Sequence, residues 1–275
     1  MIYKSRYARF LEKENRRENW VETVARYINF IDKQVTKLGS KLTENELTEI
    51  TQAIYNLEVM PSMRLLSTAG EAVDRENISS YNCSYIAINN KRAFSEALYI
   101  LMCGTGLGFS CEKQEISRLP TIPNELREVD DTIIVGDSKL GWAKAYRKLL
   151  SSLWDGDIPK IDYSRIRAAG ERLRTFGGRA SGPEPLYRLF NYITQTFQQA
   201  KGRKLTSIEV HDILCMTGEV VVVGGVRRSA LISLSDLTDR GMREAKVGAW
   251  WEHNPQRALA NNSVVYTEKP DVETF

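Results

Sequence analysis

An α/β architecture behind a helical leader is what this sequence predicts, on three observations. The first 60 residues place apolar side chains at helical spacing. Beyond them, short apolar runs of strand character alternate with longer helical patterns. Glycine-rich turns stand between those runs.

In the leader, Val21, Val24, Ala25, Ile28 and Ile31 fall on one helix face. Thr43 and Glu46 have the spacing of a capping box, with Leu47, Ile50, Ile54 and Leu57 behind it. Pro61 interrupts the pattern, and residues 82–88 (NCSYIAI) read as a strand. A helix over 93–102 follows, ending in Gly104-Thr105-Gly106-Leu107-Gly108. That order, helix and then strand, is the reverse of the dinucleotide-binding fingerprint, so these glycines read as a helix cap with a close strand approach.

In the middle, Pro120 and Pro123 mark a loop holding an acidic run over 125–131, then a short strand over 132–135. Asp137 or Ser138 caps a helix whose apolar face is Trp142, Tyr146, Leu149, Leu150 and Leu153, ended by Asp155-Gly156-Asp157. The basic stretch Arg165 to Arg179 reads as a solvated helix face, and 176–185 (FGGRASGPEP) as a loop long enough to be functional. A helix is expected over 186–200. Thr206 and Glu209 form another capping box before Val210, Ile213 and Leu214. The β-branched run 220–223 suggests a strand buried on both faces, opening into Gly224-Gly225-Val226-Arg227-Arg228-Ser229. Two more strands are expected, over 230–233 and 262–266.

Composition narrows the class. Hydrophobic residues make up 42% and charged residues 27%, as in ordinary globular proteins, and a net charge of +3 is too small for a nucleic-acid-coating protein. No apolar run reaches the roughly 18–20 residues of a membrane span. The four cysteines, Cys83, Cys103, Cys111 and Cys215, form no CxxC pair, and with two histidines they offer no zinc set and no secreted disulfide scaffold. A cytoplasmic setting with reduced thiols fits, with no metal site and neither nucleic acid nor membrane as partner.

Two features carry chemistry. Gly224 to Ser229 brings backbone amides and two guanidiniums to one turn, a pattern suited to phosphate or base edges; a tight turn with two solvated arginines is the plain alternative. Cys83, between Asn82 and Ser84, reads on its own as strand packing, and the other three cysteines as core.

Together the segments RENWVETV, MPSMRLLSTAG, YNCSY, GTGLGFS, GDSKLGW, FGGRASGPEPL, VVVVGGVRRSALISL and NNSVVYTEKPD resemble, in order, the N-terminal part of class II (adenosylcobalamin-dependent) ribonucleotide reductases. The monomeric ribonucleoside-triphosphate reductase branch is the nearer likeness. The resemblance implies N-terminal helices (1–60), first barrel strands and helix (61–127), an effector-site insertion that mimics a dimer contact (128–170), and continuation of a half-barrel with a specificity loop (171–275). The family barrel has ten strands in two halves. Cys83 falls at the position of one of two reducing thiols that end as a disulfide. Pro61, Ser62, Met63, Arg64 and Asn82 fall where the family binds substrate phosphate and ribose. Gly224, Gly225, Val226, Arg227, Arg228 and Ser229 match the loop relaying effector identity, and Asn90, Lys91, Asp137 and Ser138 are further candidates for the deoxynucleotide effector.

The resemblance also implies partners: a ribonucleotide substrate, adenosylcobalamin held mainly by residues beyond this chain, a C-terminal reductase half, and a thioredoxin-like reductant. The family's radical loop, Asn-Pro-Cys-Gly-Glu, surrounds none of the four cysteines. The expectation is therefore an incomplete enzyme, inactive alone and completed by a second portion. A non-catalytic nucleotide-binding module, an inactive gene remnant and a reductase of another class stay open as alternatives.

Overall fold

The computed structural model describes residues 3–4, 7–171, 179–223 and 230–274. The chain divides into two compact units, Met1–Asn82 and Cys83–Phe275.

The first unit begins with a short antiparallel ribbon, β1 (Phe10–Leu11) against β2 (Arg16–Arg17). Two amphipathic helices follow, α1 (Trp20–Lys37) and α2 (Glu44–Tyr55). Each starts with a complete capping box, Asn19 with Glu22 and Thr43 with Glu46, so two otherwise orphaned N–H groups are satisfied at each start. Val24, Ile28 and Ile54 bury the seam between the two helices. The six-residue α3 (Met63–Thr68) and α4 (Glu71–Arg75) complete the unit.

The second unit is α/β. Four strands form one all-parallel sheet in the order β3 (Cys83–Ala87), β4 (Gly106–Ser110), β7 (Leu231–Asp236), β8 (Ala260–Val265). Between β4 and β7 the chain inserts a two-stranded parallel ribbon, β5 (Arg127–Ile134) with β6 (Asp157–Asp162). The principal helices are α5 (Lys91–Met102), α7 (Lys139–Asp155), α8 (Glu184–Gln199) and α9 (Ser207–Val223); α6 (Lys113–Ile116), α10 (Arg240–Arg243) and α11 (Trp250–His253) are single turns. Side chains of the four long helices form one core with Leu107, Phe109, Leu231 and Ala260, which all point to the same face of the sheet.

Three expectations are corrected. Residues 220–223 are not a strand but the last turn of α9. The capping box at Thr206 and Glu209 launches a helix, and it runs on because burial on all sides removes the polar face that periodicity relies on. The segment 224–229, which lies outside the described residues, thus follows a helix rather than a strand. The acidic run 125–131 is mostly strand: β5 starts at Arg127 and sets Asp130 2.8 Å from Lys160 of β6, so exposed ion pairs decorate a polar ribbon. The described part of the basic stretch is turn and loop, not helix; Ile166 is buried and Arg167 pairs with Asp137 at 2.8 Å.

The GDSKLGW segment has a local explanation. Ser138 caps α7 by accepting from the Gly141 amide at 2.9 Å, which folds Gly136 onto Gly141. A Cβ at Gly141 would collide with the Gly136 carbonyl. Gly141→Ala should therefore destabilise the protein by about 1–3 kcal/mol, measured by thermal melting; an unchanged melt would show that the turn yields freely.

Candidate functional site

The sheet's two faces differ. Strand register aligns Cys83 with Gly106; Tyr85 with Gly108, Ile232 and Asn261; and Ala87 with Ser110, Leu234 and Ser263. All these residues lie on the face opposite the helices. Tyr85 is 58% exposed and Ile232 46%; on this face Ser110 alone is buried among the described residues. Parallel sheets are ordinarily covered on both faces, so an open one is a surface built to be covered.

Cys83 opens β3 and is exposed, which corrects its reading as strand packing. Next to it the floor of the sheet is bare, because β4 contributes only Gly106 and Gly108 to this face at those rows. Gly108 has no positive φ, and an added Cβ would meet Ser84 O at 3.6 Å and Tyr85 Cδ2 at 3.8 Å, ordinary contacts. Neither backbone nor packing demands a glycine there, so its effect is to keep a strip of sheet open between β3 and β7.

The other cysteines are of a different kind. Cys111 is buried, donates to Leu234 O at 3.4 Å, and has its thiol pushed up to about 12 by burial. Cys215 is buried and also raised, again chiefly by burial. Cys103 is buried 3.9 Å from Lys139 Nζ. None is an accessible thiolate.

In the first unit, Ser62 caps α3 by accepting from the Leu65 amide, and Met63 is exposed and accepts from Tyr7 OH at 2.9 Å. Arg64 Nε donates to Asn82 Oδ1 at 3.3 Å, so two of the five predicted substrate residues are joined directly. Asn82 is followed in the chain by Cys83.

The effector candidates separate. Asn90 caps α5, accepting from the Arg92 and Ala93 amides, and Ser138 caps α7. Lys91 reaches Asp155 at the far end of α7 (3.3 Å) and lies over the Trp154 ring, while Lys139 at the near end of α7 meets Cys103 at the far end of α5. The helices are thus antiparallel, and the pairs Asn90–Lys91 and Asp137–Ser138 stand about 18 Å apart, the length of twelve helical residues. Gly224 to Ser229 lies outside the described residues.

A buried polar cluster escaped the sequence reading. Arg257 donates to both oxygens of Asp212 (2.8 and 2.7 Å) and to Ala245 O. His211 Nδ1 lies 3.0 Å from Asp212 and Nε2 3.2 Å from Asn262 Oδ1 of β8. Burial opposes ionisation of Asp212, but hydrogen bonds from His211 and Arg257 outweigh it and hold its carboxyl below the usual range. No signal within the sequence couples residues 45 apart.

Comparison with known proteins now bears on this geometry. A family model described as the ribonucleotide reductase alpha domain matches residues 1–71. An adenosylcobalamin-dependent ribonucleoside-triphosphate reductase of Lactobacillus helveticus is 30% identical over 98% of this chain and 45% of its own length. The chain is thus similar in sequence to part of an enzyme of that description. A probable reductase of the same description from Dictyostelium discoideum is 27% identical over 96% of the chain and 39% of its own length. A crystal structure of a B-12 dependent (class II) ribonucleotide reductase superposes with a TM-score of 0.82, at 24% identity, over 95% of this chain and 45% of that one. The chain therefore has the fold of the corresponding part of that structure and spans less than half the length of the proteins it matches. The Lactobacillus alignment runs over 339 positions against 275 residues here, so that relative carries insertions this chain lacks. No helix among the described residues is long and apolar enough to cross a membrane.

Proposed function

We propose that this chain is the N-terminal portion of a cytoplasmic ribonucleoside-triphosphate reductase, supplying substrate contacts and one reducing thiol, with the radical cysteine on a second portion that completes the barrel. The observation that carries it is the placement of Cys83, exposed beside a glycine-floored strip on the uncovered face of a parallel sheet. The likeness of the whole chain to part of such reductases supports it.

In this reading the sheet supplies four of the five strands of a half-barrel. The complementary half covers the open face and brings the second thiol. The net reaction removes the 2′-hydroxyl as water and places a hydrogen on that carbon, while two thiols lose two electrons and two protons and join as a disulfide. A dithiol or thioredoxin-like protein restores them. Cys83 is positioned to be one of the pair, since β3 fixes its sulfur at the sheet edge where a sugar lying over Gly106 and Gly108 would be within reach. Arg64 and Asn82 supply charge and hydrogen bonds for phosphate and ribose. Residues 224–229 relay the deoxynucleotide effector's identity to substrate choice, a reciprocal coupling between two nucleotide sites.

In this reading none of the described residues is assigned to the corrin. Two clefts of the first unit differ in lining, one of about 510 Å³ with polar and charged groups such as Arg26, Lys33 and Asp74, the other of about 360 Å³ and mostly apolar. No described group of three His, Cys, Asp or Glu could hold a metal. Adenosylcobalamin, which supplies the radical in enzymes of this name, belongs in this reading to the other portion.

Complementation tests the proposal. The purified chain, given adenosylcobalamin, a dithiol and ribonucleoside triphosphates, should form no deoxynucleotide. Adding a polypeptide from the same source that carries an Asn-Pro-Cys-Gly-Glu pattern should restore turnover. Turnover by the chain alone, or a stable but inactive complex, would overturn the reading.

A further inference from the structure

Besides the Asn19–Glu22 cap, the RENWVETV segment places Glu18 at the centre of a group of polar contacts in the first unit. Glu18 is 4% exposed. Its carboxylate accepts from Arg26 Nε (2.8 Å) and Nη2 (3.0 Å), from Thr23 Oγ1 (2.9 Å) and from the Arg9 amide (3.1 Å). Tyr3 OH closes the shell on Thr23 at 2.6 Å.

What the two arginines then do is specific. Arg26 donates to the carbonyls of Leu66 (3.1 Å) and Ala69 (2.9 Å). Arg9 donates to those of Ser67 (3.3 Å) and Thr68 (2.8 Å). These are four successive carbonyls at the end of α3, the groups a helix leaves without internal partners. Two guanidiniums satisfy all four. Ordinary helix ends of this length need one glycine turn or water, and an organised pair of half-buried arginines is a far stiffer mount. Six residues separate the carbonyl end from Ser62, and a helix that short transmits any tilt to its start. That start carries Ser62, Met63 and Arg64, and Arg64 in turn engages Asn82.

We infer that Glu18 is a positioning residue: by aligning Arg9 and Arg26 on the carbonyl end of α3, it sets the pose in which Ser62, Arg64 and Asn82 meet the phosphates of a nucleotide. This rests on the nucleotide-binding reading above. Without the carboxylate, Arg26 loses its ion pair, the Arg9 amide loses its acceptor and two like-charged guanidiniums lose a nearby counter-charge, so the mount opens while the rest of the unit keeps its apolar seam.

The test uses the full 275-residue chain with Glu18→Gln, Glu18→Asp and Arg9→Lys. Amide hydrogen exchange is followed over residues 65–69, and binding of CTP and of cytidine by calorimetry. Glu18→Gln should strip protection from 65–69 while leaving that of α2 intact, and weaken CTP about tenfold, the scale of one charge-assisted hydrogen bond. Cytidine, lacking phosphates, should change less than about twofold, and Glu18→Asp should restore part of the CTP affinity. Arg9→Lys, which keeps the charge but loses the fork, should fall between; it decides the matter if Glu18→Gln does not fold. Equal losses for CTP and cytidine, or unchanged protection at 65–69, would sink the inference. Should the unaltered chain bind no CTP, the nucleotide reading fails, and the exchange data still decide whether Glu18 mounts α3.

Discussion

Cys83→Ser should reduce deoxynucleotide formation by the completed enzyme to below about one part in a thousand, with nucleotide affinity within about twofold of the unaltered protein. The size of the effect follows from the electron count. A serine cannot join a partner thiol as a disulfide and so cannot supply its share of the two electrons, and no residual pathway through this position remains. The selectivity follows from where the residue sits. Cys83 is the first residue of β3 and exposed, so exchanging sulfur for oxygen removes no core contact, and the stability change should stay within about 0.5 kcal/mol. Cys111→Ser is the matching control. Its thiol is buried against Leu234 O and held protonated, so the substitution should lower the melting temperature while each remaining folded molecule turns over normally. Product measured by chromatography, beside a thermal melt of each variant, separates the two. Persistent turnover in Cys83→Ser would remove this residue from the chemistry whatever the ancestry of the chain.

How much of this could be read from the sequence depends on the range of the interaction. Local chemistry was legible. The capping boxes at Thr43 and Thr206, the cap at Ser138 and the left-handed stop at Gly156 are where the residues imply, because each is decided within four positions. The Asn19 to Glu22 box has the same local signature. What failed was long-range. The valines at 220–223 have strand preferences, and only the packing of α9 against α5 and α8 makes them helical. The alternation around Cys83 shows two faces but not which one is covered. That is decided by β4 and β7, which arrive 23 and 148 residues later, and it placed the thiol on the open side. The bare strip at Gly106 and Gly108 shows the same limit: in sequence it is a helix cap, and only strand register puts it beside Cys83.

The His211–Asp212–Arg257 cluster is the part of the second unit least visible beforehand, and it should be the most costly to break. Arg257→Met removes the guanidinium and leaves the Asp212 carboxylate, 7% exposed at its side chain, with His211 as its remaining side-chain partner. Loss of one member of a buried pair costs about 3–5 kcal/mol. At roughly 2–4 °C per kcal/mol for a unit of this size, the melting temperature should fall by about 6–20 °C. Replacing both members, Asp212→Leu with Arg257→Met, should recover much of that loss, since no unpaired charge then remains inside. The pH dependence has a definite sign. The folded protein holds the Asp212 carboxyl below its ordinary value, so its contribution is complete above the unfolded value of about 3.9 and is lost as pH falls through the lower folded value. Acid should therefore erode the unaltered protein in that range, and the double variant should lack this component of the acid limb. A double variant with the same acid limb would show that other carboxylates carry it. A single Arg257→Met that melts within 2 °C of the unaltered protein would mean that His211 and water satisfy Asp212 as well as the arginine does. In that case the clamp that α9 exerts on the Arg257 segment would have to come from the apolar contacts around it.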